Sequence, residues 1–215
     1  MSLNTFNNYG FIEHVFTNKE LQPIRDEIDE IQADFDMHQP QQWNTRLSGN
    51  LKREFALPKS MAHAEKLILP HVEDYVEFFN FLKDSFLTRE EVDFSLNSLW
   101  VNFQAKNEFN PLHNHDGFMS FVIYTKVPFK MRDELAASPG INSNNNVPGH
   151  FQFSYTGILG GISNHYVPVD ESYENTLMLF PSKLMHCVYP FFTSDEYRIS
   201  VAGNIYCNRK KSATK

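Results

Sequence analysis

Apolar positions in the first ninety residues recur every three or four places, and beyond them they recur every two. Leu21, Ile24, Ile28 and Ile31 follow a Thr17-x-x-Glu20 pair, the pattern of a capping box opening an amphipathic helix. Pro23 sits awkwardly in that stripe, so the regular helix is expected to begin near it. A second stripe through Ile68, Val72, Tyr75, Val76, Phe79, Leu82 and Phe86 predicts another helix, with Pro70 at its start or at a kink. Between the two, Trp43 to Leu57 alternates around Gly49 and reads as an edge strand or hairpin.

From about Asp93 the alternation is that of half-buried strands. Leu99, Val101 and Phe103 interleave with Trp100 and Asn102, and Phe118–Val127, His150–Tyr155, Thr176–Phe180 and Tyr197–Tyr206 are further β-prone runs. Short strands broken by Pro, Gly and Asn predict a β-sandwich or barrel, with the upstream helices packed on one face of a sheet. The expectation is a mainly β single domain over 1–215, with a helical part at about 17–90 and a β core at about 93–208. Met131 to Gly149, rich in Ala, Ser, Pro, Gly and Asn, reads as a long flexible loop, either a lid or a tolerated insertion.

Composition narrows the function classes. A 215-residue chain that is 41% hydrophobic with twenty phenylalanines can bury a substantial core. A net charge of -7 argues against nucleic-acid binding, which needs a basic footprint; the Arg209-Lys210-Lys211 run reads as a solvated tail. Met1 to Gly10 is polar and shows no signal-peptide core, and no window approaches the roughly 18 apolar residues of a membrane span. Cys187 and Cys207 are too few for a disulfide framework. The expectation is a soluble cytoplasmic protein with no membrane or nucleic-acid partner. Nothing bears on its oligomeric state.

The chemistry gathers in two segments. In His113-Asn114-His115-Asp116 the two histidines are one residue apart, so on an extended segment both imidazoles face one side and reach a single ion. Imidazole suits iron, zinc, copper and nickel alike. Far downstream, His186 follows the Phe180-Pro181-Ser182 turn and stands twelve residues before Arg198. A facial triad takes two histidines and a carboxylate, the carboxylate two residues after the first histidine, where this chain has His115. Two ligand sets therefore stand open: His113, His115 and His186, or a set in which Asp116 supplies the carboxylate through a local bulge.

Arg198 and Ser200 share one face of their strand, while Ile199, Val201 and Ile205 occupy the other. An inward guanidinium is costly without an anion. Its partner is either an internal carboxylate or the carboxylate of a small diacid held in bidentate fashion. Tyr124 either hydrogen-bonds the same carboxylate or is a core tyrosine.

Together these residues resemble the 2-oxoglutarate- and Fe(II)-dependent oxygenase superfamily, in particular the prolyl-hydroxylase-like oxygenases of bacteria and marine phages. The resemblance rests on Trp100-Val-Asn102, His113-Asn-His115, Ser120 to Tyr124, Phe180-Pro-Ser182…His186-Cys-Val188 and Arg198-Ile-Ser200…Asn204, with Asn44 to Asn50 upstream. It covers roughly 40–208. Two positions depart from the usual pattern: His115 replaces the common aspartate, and Phe121 replaces a small residue.

The resemblance implies a double-stranded β-helix (jelly roll) with helices on its major sheet. It implies Fe(II), 2-oxoglutarate and O2, and a hydroxylase coupling decarboxylation of the keto acid to oxidation of a substrate C–H bond. The primary substrate is a peptide or a small molecule, with peptidyl proline the nearest suggestion. Arg198, Ser200, Tyr124 and Asn102 are then the co-substrate residues. Two alternatives remain: a cupin-like three-histidine dioxygenase without a keto acid, and a non-catalytic jelly-roll module with a structural metal.

Overall fold

The computed structural model describes residues 8–85 and 91–210. In chain order the elements are β1 (Ile12–Val15), α1 (Asn18–Ala33), β2 (Glu54–Ala56), α2 (Met61–Phe79), α3 (Phe81–Ser85), β3 (Val92–Gln104), β4 (Asn110–His113), β5 (Met119–Lys126), α4 (Met131–Ala137), β6 (Phe151–Thr156), β7 (Ile162–Val167), β8 (Thr176–Pro181), β9 (Met185–Val188) and β10 (Arg198–Arg209). The strands form a six-stranded antiparallel sheet, β1-β8-β5-β10-β3-β2, and a four-stranded one, β4-β9-β6-β7. Two antiparallel sheets agree with the β-sandwich that the alternation predicts and with the jelly roll that the resemblance implies.

The period-two pattern sorts side chains to the two faces of the larger sheet. Leu99, Val101, Phe103, Ile123, Leu177, Leu179, Ile199, Val201 and Ile205 point outward and form one core with the apolar stripes of α1 and α2. Their strand neighbours Val122, Tyr124, Met178 and Phe180 point inward and meet Phe151, Phe153 and Val167 of the smaller sheet. The inward face of β3 and β10 is polar and charged instead: Asn102, Gln104 and Arg198 are buried there. That polar floor is what the fold leaves for chemistry.

Several local expectations change. The capping box forms at Thr17, so α1 starts at Asn18 and runs through Pro23; two reciprocal cap bonds and a fully buried stripe outweigh one missing backbone bond. α2 begins at Met61, so Pro70 lies inside it rather than at its start. Of Trp43–Leu57 only Glu54–Ala56 forms a strand, paired at the edge of β3. The Met131–Gly149 segment is no loose loop. It contains α4, whose buried Glu134 accepts the Phe192 and Thr193 amides at 2.6 and 2.9 Å, and Asn146 donates to the Leu135 carbonyl at 3.0 Å. Phe121 packs in the helix-side core over Gly203, where an added Cβ would come within 2.7 Å of its ring. The glycine makes room for the ring.

Candidate metal centre and co-substrate pocket

Register brings the distant histidines together. His113, closing β4, is the antiparallel partner of His186 on β9. The chain then turns so that the His115 amide donates to the Ser182 carbonyl at 2.9 Å, which carries its ring back over the same spot. Ring centroids lie 4.3 Å apart for His113 and His186, 4.9 Å for His113 and His115, and 5.0 Å for His115 and His186. One ring nitrogen from each falls within 4.8 Å of the others. Phe151 stacks on His186 and Phe180 meets it edge-on, fixing the ring that leans on the core.

These three imidazoles suit a metal by their proton state as well as their placement. Burial lowers the pKa of His113. Burial, then the charge of His113, brings His115 down to about 4. His186, only 3% exposed, is held well below its usual value by burial and by both neighbours. Neutral rings keep a lone pair. The Nδ1 atoms of His113 and His186 lie 2.7 and 2.9 Å from the Pro111 and Leu184 carbonyls. With Nδ1–H donating there, Nε2 is free to ligate. The donor set thus fits a divalent transition ion such as iron.

Asp116 lies elsewhere. Its side chain is 90% exposed and 3.4 Å from Lys183, outside the histidine group.

Across the pocket, the strand register lays Asn102, Ser200 and Tyr124 in a row, Asn102 opposite Ser200 and Ser200 opposite Tyr124. All three line the same pocket as the histidines, and Asn102 donates to Ser200 Oγ at 3.2 Å. Arg198 stands two residues before Ser200 and is 1% exposed. Its guanidinium does not itself line the pocket. Nε and Nη2 donate to Gln104 Oε1 at 3.2 and 2.7 Å, Nη1 to the Gly149 carbonyl at 2.6 Å, and Nη2 to the Tyr189 carbonyl at 2.9 Å. One of the five N–H donors, on Nη1, is left over.

Every one of those acceptors is neutral. Among the described residues no carboxylate forms an ion pair with Arg198. Glu134 acts on it only at a distance, its oxygens already taken by Phe192 and Thr193. A buried cation without a counter-ion is a standing demand for an anion. Gln104 lies between it and the pocket and lines the wall.

Gln104, Glu54 and Asn110 line the pocket without having been singled out from sequence. Gln104 carried a signal, because it lies two residues from Asn102 on an alternating strand and so on the same face. The Leu47-Ser48-Gly49 stretch, within the segment that resembles the family upstream of the core, forms another part of the wall. Cys187 and Cys207 are unpaired, and no helix among the described residues is long and apolar enough to cross a membrane.

Comparison with known proteins bears on the same stretch. A family model described as "Putative 2OG-Fe(II) oxygenase" matches residues 98–204, which contain the three histidines, Asn102, Tyr124, Arg198 and Ser200. No curated protein sequence matches the chain. Among solved structures, a prolyl-4-hydroxylase of Pseudomonas putida superposes with a TM-score of 0.50 at 13% identity, covering 94% of this chain and 94% of that one. EvdMO1 superposes with a TM-score of 0.52 at 12% identity, covering 94% of this chain but 48% of that one. At such identities the likenesses speak for the fold.

Proposed function

Since the chain belongs to the 2-oxoglutarate- and Fe(II)-dependent oxygenases, we propose that it is a hydroxylase whose iron is held by His113, His115 and His186 and whose co-substrate is anchored at the Arg198 end of the pocket. The observation that carries this reading is one pocket joining three desolvated imidazoles to a polar row backed by a buried arginine that, among the described residues, has no carboxylate partner. A cupin-like dioxygenase has no use for that arginine.

Ferrous iron, when bound, supplies what no side chain here offers, the activation of O2 at the expense of 2-oxoglutarate to oxidise a C–H bond. The protein's work is placement. Ser200 and Tyr124 present hydroxyls to the distal carboxylate of the keto acid, and Arg198 supplies the positive potential behind them. Asn102 holds the Ser200 hydroxyl in place through its Nδ2. Trp100, Phe151 and Phe180 wall the pocket and keep water from the reacting groups.

The oxidised substrate is a peptide or a small molecule, and the resemblance implies peptidyl proline. The free thiols suit a reducing cytoplasm, where iron stays ferrous. The reading is tested by succinate formation from 2-oxoglutarate with added Fe(II). Wild type is expected to release succinate, slowly without primary substrate, and His186→Ala to release none. Fe(II)-dependent succinate release undiminished in His186→Ala refutes it.

A further inference from the structure

The polar row does not end at Asn102. Glu54 on β2 is the direct antiparallel partner of Asn102, so the row crosses four strands from Glu54 through Asn102 and Ser200 to Tyr124, all on one face. Arg198 makes the Tyr124 end cationic, while Glu54 places a buried carboxyl group at the other end. Glu54 is 1% exposed and lines the pocket. Its Oε2 accepts from Asn44 Nδ2 at 3.2 Å, and among the described residues no cation pairs with it.

Two further acceptors are idle beside it. Asn110 Oδ1 and Asn102 Oδ1 are buried without a hydrogen-bond partner, and Asn102 as a whole is 7% exposed. Gly49 lets the first of these approach the carboxyl group. A Cβ built there would stand 2.7 Å from Asn110 Oδ1 and 2.8 Å from Glu54 Oε1. Burial, then the charge of Glu108, pushes the Glu54 carboxyl up to about 7, a penalty that a cation beside it relieves. An ionised Glu54 repels the carboxylates of the co-substrate, and the two amide oxygens only accept.

We propose that Glu54, Asn110 and Asn102 form the primary-substrate subsite, and that it selects a substrate carrying a protonated amine. This rests on the oxygenase reading of the same pocket. The ammonium belongs either to a free amino compound or to a peptide, and the shared chemistry is a cation with several N–H donors meeting three acceptors that line one pocket.

The test is calorimetric titration of the Fe(II)-loaded, 2-oxoglutarate-bound protein without oxygen. One arm uses L-lysine methyl ester and L-proline methyl ester; the other uses a terminally blocked tetrapeptide containing lysine. Each probe is compared with its N-acetylated, uncharged counterpart. An amine in at least one arm is expected to bind about tenfold or more tighter than its acetylated form, and the arm identifies the source. Glu54→Gln keeps an acceptor oxygen for Asn44 and should weaken amine binding by a similar factor without moving the acetylated probe. Asn110→Asp should tighten it, and this variant carries the test if Glu54→Gln fails to fold. Equal binding of amine and acetylated probes, amine binding unmoved by both substitutions, or no amine bound in either arm overturns the proposal. Titration of 2-oxoglutarate into the same Fe(II) protein separates the failures: co-substrate binding without amine binding sinks this inference alone, and absent co-substrate binding sinks the oxygenase reading.

Discussion

Replacing Arg198 by alanine should damage the protein in two ways of different size. Four hydrogen bonds disappear, leaving Gln104 Oε1 and the carbonyls of Gly149 and Tyr189 short of donors in a buried site. Stranded buried acceptors cost roughly 1–3 kcal/mol each. Water entering the vacated space restores part of that, so a net loss of about 3 kcal/mol is expected on chemical denaturation. The co-substrate loses the charge beneath its distal carboxylate. Truncating one partner of a buried charged pair costs about 2–5 kcal/mol, which is about 30-fold to several thousand-fold in 2-oxoglutarate affinity. Arg198 touches none of the histidines, so Fe(II) affinity should not move. The assay is titration of 2-oxoglutarate into the Fe(II)-loaded, oxygen-free variant, with circular dichroism confirming the fold. Arg198→Lys keeps a cation but loses the planar fork, and should recover part of the affinity. A folded Arg198→Ala protein that binds 2-oxoglutarate within a factor of about three of wild type would refute the argument from an uncompensated buried charge.

In metal-free protein the Glu54 carboxyl titrates near 7 rather than 4.5, so the folded state holds the proton more tightly. Its contribution is therefore present below about pH 4.5 and is lost as pH rises through 7, a fall of up to about 3 kcal/mol. Glu54→Gln should flatten that slope in urea titrations at several pH values, and an unchanged slope counts against the buried carboxyl. Gly203→Ala would set a methyl 2.7 Å from both the Phe121 ring and the Ser98 carbonyl. It should destabilise by about 1–3 kcal/mol, and Gly203→Ala combined with Phe121→Ala should lose less than the sum of the single variants. Strict additivity would mean that the ring and the glycine are not coupled.

Much of the fold was legible because a strand buried on both faces, helices outside and chemistry inside, writes its alternation openly. Ile199 and Val201 against Arg198 and Ser200 show both destinations within four residues. The histidine cluster was legible for the same reason, His113 and His115 sharing a side. What could not be read depends on register between distant segments. Glu54 reaches the pocket only because β2 pairs with β3, and Asn110 only because β4 pairs with β9. β1 is four residues at a sheet edge, too short to show a period. α4 hid in a Ser-, Pro- and Asn-rich stretch, since what holds it is Glu134 reaching across to Phe192 and Thr193. Pro23 misled because propensity is local, whereas the packing of α1 onto the sheet is not.

The central claim is that three histidines, without Asp116, hold the iron that 2-oxoglutarate chelates. Its most direct test is the visible charge-transfer absorbance that forms when 2-oxoglutarate is titrated into Fe(II)-loaded protein without oxygen. A band saturating at one equivalent is expected in wild type and in Asp116→Ala, and no band in His115→Ala. A band that survives in His115→Ala and vanishes in Asp116→Ala would contradict that claim.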